Sequence, residues 1–241
     1  MRKVLEDIAA IALVLEERGW AEGKAGNVSV NVTGSPGTEP EKPLSSFVAY
    51  PLPGAYKALA GHDFLISSAT TRMRNLARQP LMNLLLIRIS DDGASYIHLP
   101  IRQEIDTSLR PTSEFCTHLA IHESLISAGR QEQAILHTHV NELIALTLDQ
   151  KINSETVLNQ VLGSALLEMN TLLPRGVGLV PYLQPGSCEI ARATVASLQQ
   201  HDLILWSKHG VITIGADTFD CLDKIEIVTK AAKIYFLARP L

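Results

Sequence analysis

From Lys3 to Arg18, apolar side chains recur at Val4, Leu5, Ile8, Ile11, Ala12 and Leu15. That is the spacing of a helix with one packed face and one wet, acidic face, and Gly19 ends it. After the loop Gly23-Lys24-Ala25-Gly26-Asn27, the alternation Val28-Ser29-Val30-Asn31-Val32 predicts a half-buried strand. Gly34 to Leu44 is proline-rich and aperiodic, a surface excursion. Asp63–Ser67 reads as a strand, and two more, Met82–Ser90 and Ala94–Leu99, flank the hairpin signal Asp91-Asp92-Gly93. Arg110 to Glu114 opens a helix carrying Phe115, Leu119, Ile121, His122 and Leu125, with Thr112 or Ser113 as N-cap and Glu114 in its first turn. The second half alternates strands with helices. Strands are expected at Ala134–His139, Arg175–Pro181, Leu203–Trp206 and Val211–Ile214. Helices are expected at Glu142–Leu148 (capped by Asn141), Asn153–Asn170, Ser187–Gln199 and Asp217–Leu237. The alternation makes the chain α/β, and the hairpin excludes a purely parallel sheet.

A chain of 241 residues with 46% apolar content buries one sizeable core, so a single domain over 1–241 is expected. Net charge is −4 and the basic residues are scattered, which argues against nucleic acid or an acidic membrane surface as partner. Met1-Arg2-Lys3 imitates the start of a signal peptide, but Glu6, Asp7, Glu16 and Glu17 interrupt the apolar run such a peptide needs. Nothing reaches the ~18 to 20 apolar residues of a membrane span. Cys116, Cys188 and Cys221, odd in number and without C-x-x-C spacing, fit buried thiols in a reducing compartment, hence a cytoplasmic protein.

The chemistry centres on His137-Thr138-His139. On a strand these two imidazoles project from one face about 7 Å apart, close enough to share an ion. Zinc usually takes at least three protein ligands, so a third is needed. His209, at a strand-to-strand turn before Gly210, suits the role. His62, His98, His118, His122 and His201 compete for it, His118 and His122 at the i, i+4 spacing of a helical zinc pair, and spacing alone leaves the choice open. Two further stretches offer donors to an anion. The Lys24–Asn27 loop can expose consecutive backbone N–H groups beside an ammonium and a carboxamide. Ser68-Ala69-Thr70-Thr71-Arg72 gathers hydroxyls and a guanidinium, and reads equally as a helix N-cap.

Taken together, Gly19-Trp20, Gly26-Asn27-Val28-Ser29, Pro111-Thr112-Ser113-Glu114, His137-Thr138-His139 with Asn141 and Ile144-Ala145-Leu146-Thr147, Gly176 to Tyr182, and His209-Gly210-Val211 resemble the class II aldolase/adducin family. The resemblance runs from about Trp20 to the last helix. It implies a single α/β domain with a mainly antiparallel central sheet flanked by helices, assembled as a homotetramer. It also implies one Zn2+ per subunit on His137, His139 and His209, with Glu114 as catalytic carboxylate. Lys24, Gly26, Asn27, Ser68, Thr70, Thr112 and Ser113 become the phosphate and substrate contacts. Within the family the motifs are most similar to the branch that splits L-rhamnulose 1-phosphate into dihydroxyacetone phosphate and L-lactaldehyde. That branch tends to carry Asn where Lys24 stands and a Thr-Gly-Ser-Gly-like turn where Ser68–Thr71 stands. The family's other activities are fuculose-phosphate aldolase, pentulose-phosphate 4-epimerase and dehydratase, and its noncatalytic role is the adducin-like interaction module.

Overall fold

A computed structural model describes residues 1–101 and 107–238. The N-terminal helix, α1 (Arg2–Glu17), leads into β1 (Asn27–Asn31), β2 (Ala49–Pro51) and β3 (Asp63–Ser67). Two short helices, α2 (Met73–Arg78) and α3 (Pro80–Asn83), precede the hairpin of β4 (Leu84–Ile89) and β5 (Ser95–Leu99). Then come α4 (Phe115–Ser127), β6 (Ala134–Thr138), α5 (Asn141–Leu146), α6 (Glu155–Ala165) and α7 (Met169–Leu172). The chain finishes with β7 (Val177–Val180), α8 (Cys188–Leu198), β8 (Leu203–Trp206), β9 (Gly210–Gly215) and α9 (Thr218–Leu237).

These strands form one sheet in the order β2-β5-β4-β3-β1-β6-β9-β8-β7. Every neighbouring pair is antiparallel except β7 and β8, so the mainly antiparallel α/β architecture is as expected. β6 runs through the middle and is buried throughout. Its even positions, Ala134 and Leu136, belong to the large core shared with α1, α5, α6 and α9. Ile135 belongs to a second core with Ile121, Ile190, Trp206 and Ile212, under α4 and α8. By alternation His137 faces this second layer, at the end of the strand where the packing opens. No described helix is long and apolar enough to cross a membrane.

Several expectations need correction. β1 is not half-buried: its first four residues are all buried, because helices cover both faces of the sheet and Ser29 (1% exposed) points into polar company rather than water. The helix expected over 153–170 breaks at Leu166, which is extended. Leu162, Leu166, Met169 and Leu173 are all buried, so the helical spacing persists across a break it cannot reveal. Val140, not Asn141, is the N-cap of α5. Glu114 itself occupies the N-cap position of α4, with no side-chain capping bond, so neither Thr112 nor Ser113 caps and the carboxylate is freed from that duty. Arg72 precedes α2 without capping it, and the Ser68–Thr71 hydroxyls do not cap it either. β4 starts at Leu84 because Pro80 opens a helical turn first. Of the three free thiols, Cys221 is buried, Cys116 partly so, and Cys188 is exposed.

Candidate active site and metal centre

Three chain segments bring the histidines together. His137 lies at the end of β6, paired across to Asn27 on one side and Ile212 on the other. His139 is one residue past the strand, anchored by its N–H to the Trp20 carbonyl (2.8 Å), which also accepts from Thr138 Oγ1 (2.5 Å). His209 arrives on the tight β8–β9 turn, where Lys208 adopts φ 62°. The ring centroids form a near-equilateral triangle of 5.1, 4.9 and 5.0 Å. One ligand nitrogen from each lies within 4.8 Å of the others, so the three could hold a metal ion. Trp206 underlies the group, 4.7 Å from the His137 ring and stacked on His209 at 5.1 Å, and its indole N–H is fixed on Thr194 Oγ1 (2.9 Å). Gly210 is required by the closeness: a Cβ there would stand 2.5 Å from the Thr138 carbonyl and about 3 Å from both His137 and His139.

His137 carries its proton away from the middle of the group. His137 Nδ1 donates to the Val211 carbonyl (2.9 Å), so its Nε2 is an acceptor, and that atom is buried with no hydrogen-bond partner. His209 Nδ1 is likewise buried and unpartnered. His139 Nδ1 faces Glu22 (3.1 Å), a carboxylate that no local motif singles out. Burial, then the neighbouring His139, brings His137 down to about 3; burial and His137 bring His209 down to about 4. Both are neutral imidazoles at ordinary pH. The buried, unmet Nε2 acceptor of His137, facing His139 and His209, fits a divalent metal, for which imidazole is a suitable ligand.

Glu114 closes the group from the start of α4. The loop before it is tied to the end of β3: Thr112 N–H donates to the Ser67 carbonyl (3.0 Å), and Ala69 N–H donates to the Arg110 carbonyl (2.7 Å). The carboxylate is 4% exposed, with Oε1 3.6 Å from His209 Nε2 and Oε2 3.6 Å from His137 Nε2. Asn27 Nδ2 donates to Oε2 (3.3 Å). Burial raises the Glu114 pKa, while the nearby His209 and the Asn27 hydrogen bond oppose the rise.

One cavity of about 370 Å³ is lined by every site residue expected from the sequence: Glu114, the three histidines, Lys24, Gly26, Asn27, Ser68, Thr70, Thr112 and Ser113. Ala25, Ala69, Thr71 and Pro185 complete its wall. Gly26, at φ +82°, lets the backbone pass the His137 carbonyl, which a Cβ would approach to 3.2 Å. Thr70, a branched residue, is held at φ 67°, the strained left-handed region, and turns the hydroxyl loop toward the cavity. Ser68 Oγ is engaged with Thr71 Oγ1 (2.7 Å). Arg72 is not among the lining residues. The competing histidines lie elsewhere: His62 and His201 bond backbone carbonyls, His98 stacks on Tyr50, and His118 and His122 are buried against Ser29. A larger cavity, about 560 Å³, opens between α4 and α8, but its walls are mostly apolar and it holds no such cluster.

Comparison with known proteins identifies the family. Residues 6–236 match the family described as Class II Aldolase and Adducin N-terminal domain. The chain is 36% identical to a rhamnulose-1-phosphate aldolase of Bacteroides thetaiotaomicron, over 99% of this chain and 87% of that one. It is 31% identical to the protein of that name from Listeria welshimeri, over 96% and 82%. The crystal structure of a sugar-phosphate aldolase from Thermotoga maritima superposes with a TM-score of 0.84 at 29% identity, covering 100% of this chain and 98% of that one. The chain therefore belongs to the class II aldolase and adducin N-terminal domain family, as an aldolase-type lyase.

Proposed function

We propose that this protein is a zinc-dependent aldolase that cleaves L-rhamnulose 1-phosphate, or a closely related ketose 1-phosphate, to dihydroxyacetone phosphate and L-lactaldehyde. The observation that carries the reading is the convergence of three imidazoles and one buried carboxylate, 3.6 Å from two of them, on a cavity whose wall also carries Lys24, Asn27, Ser68, Thr70, Thr71, Thr112 and Ser113. The name shared by the two relatives supplies the sugar.

Breaking a C–C bond beside a carbonyl leaves negative charge on oxygen, and catalysis requires a positive partner placed there in advance. Zinc held by His137, His139 and His209 would supply that partner as a Lewis acid. Glu114 moves the proton. Its raised pKa brings it nearer neutrality, where one carboxyl can both accept and return a proton within hydrogen-bond reach of substrate. The N–H of Asn27 on Oε2 keeps the carboxylate turned toward the histidines. Lys24, with the backbone turning at Gly26, shares the cavity wall with Ser68, Thr70, Thr112 and Ser113, a donor set suited to phosphate oxygens. Lys24 contributes a point charge to that set. In this reading residues 1–241 act as one such domain, in the cytoplasm, as a homotetramer.

The test is a coupled assay for dihydroxyacetone phosphate release by the metal-replete protein, across L-rhamnulose 1-phosphate, L-fuculose 1-phosphate and other ketose phosphates, with metal analysis of the same preparation. Preferential cleavage of the rhamnulose ester by protein carrying about one zinc per chain is expected. Epimerisation or dehydration without cleavage would move the chain to another branch, and absence of both metal and turnover would leave the adducin-like module.

A further inference from the structure

Beneath Glu114 runs a row of hydrogen bonds of which the roles above use only the first. Asn27 Nδ2 donates to Glu114 Oε2 (3.3 Å), and Asn27 Oδ1 accepts from His118 Nε2 (2.6 Å). His118 Nδ1 lies 2.7 Å from Ser29 Oγ, which in turn lies 2.9 Å from His122 Nε2. None of these five side chains is more than 6% exposed. The row links two elements and the residue that opens one of them: Asn27 and Ser29 project from the same face of β1, while His118 and His122 stand one turn apart on α4 and meet them.

Counting donors fixes the direction of the row. A carboxamide has one donor end and one acceptor end. Asn27 can offer N–H to Glu114 only by turning its oxygen to His118, and His118 must then carry its proton on Nε2. Its Nδ1 is left to accept the Ser29 hydroxyl, whose lone pair accepts from His122 Nε2–H. Every donor thus points toward Glu114. Burial keeps both imidazoles neutral, His118 down to about 3 and His122 well below its usual value, so each holds a single proton. Without the His118 N–H, nothing holds the Asn27 carboxamide in this sense, and the flipped amide would set oxygen against oxygen at Glu114. At its far end the His122 ring packs on Phe64 (4.6 Å).

We propose that His118 is a positioning residue for the lyase reaction: acting through Asn27, it holds an N–H on Glu114 Oε2 and so keeps the carboxylate facing His137 and His209, while Ser29 and His122 orient His118. The proposal rests on the reading of Glu114 as the proton carrier.

Nitrogen-15 NMR of the histidine tautomers in the intact wild-type protein tests the arrangement without reference to turnover. His118 is expected as the Nε2–H form, and an Nδ1–H form would overturn the proposal. Steady-state kinetics on L-rhamnulose 1-phosphate test its consequence. His118→Leu, with metal content and melting temperature checked, is expected to lower kcat about 10- to 100-fold, the worth of a hydrogen bond to a charged group, with KM within about threefold. His118→Gln, which can still present an N–H to the Asn27 oxygen, should recover most of that loss. Wild-type kcat in a folded His118→Leu protein, or an equal loss in both variants, overturns the proposal. Should His118→Leu fail to fold, Ser29→Ala decides, a severalfold fall in kcat supporting the row and an unchanged kcat overturning it. Wild-type protein inactive on every ketose phosphate would remove the functional reading itself, while the tautomer measurement would still judge the row.

Discussion

At the scale of single residues, Glu114 and His209 should fail in different ways. Glu114→Gln keeps nearly the same volume and leaves the three imidazoles in place, so metal content is expected to stay and turnover to drop about 100-fold or more, the usual worth of a positioned acid–base group. His209→Ala removes one of three nitrogens from the triangle and should lose most bound zinc together with activity; metal analysis and an aldol-cleavage assay on both proteins separate the two roles. Gly210→Ala places a methyl 2.5 Å from the Thr138 carbonyl and against two of the rings. Overpacking of that kind costs about 1–3 kcal/mol, and the displaced histidines should bind zinc roughly tenfold more weakly, read by thermal melting and chelator competition. The H-x-H pair of this centre is a short local pattern visible in the sequence, whereas His209 is set apart from five competing histidines only by the family resemblance. Glu22, Trp206 and the polar row through Ser29 are not visible there, because each acts on a partner far along the chain.

At the scale of elements, the amphipathic helices and the Asp91–Gly93 hairpin are legible because their signals are local. α9 begins where Asp217 suggests, with its carboxylate accepting from the Phe219 and Asp220 N–H groups at 2.9 Å each. Asp217→Ala should therefore cost about 1 kcal/mol, a fall in melting temperature of about 2–4 °C for a chain of this size. β1 departs from its pattern because alternation normally reports one wet face, whereas here α4 supplies two histidines to receive the polar side. The break at Leu166 leaves no mark in the sequence, since the apolar spacing carries on through it.

For the molecule as a whole, the depressed histidines set the acid limit. His118 and His137 titrate at about 3 and His209 at about 4, with His122 also displaced downward, against about 6.5 in the unfolded chain. Between these values the unfolded state binds more protons, so the stability they contribute is present above pH 6.5 and is lost as pH falls toward 4. Glu114 alone in this group is displaced upward and opposes the trend with one carboxyl against four imidazoles. Thermal melting of the metal-free protein should show the midpoint falling steadily from pH 7 to pH 4.5; a flat profile would mean these imidazoles are not held neutral by the fold.

Local order along the chain determined which segments become helix or strand, and dispersed motifs determined the family and the residues that line the cavity. Periodicity and short motifs report only a residue's own neighbourhood. Strand order, the burial of both faces of β1, and the meeting of residues 27, 114, 118, 137 and 209 at one point were decided by tertiary packing. The reason is physical: the direction of a proton in a buried hydrogen bond, and the neutrality of a histidine, depend on what else has been excluded from water beside it, and that company is assembled only when the sheet closes between its helices.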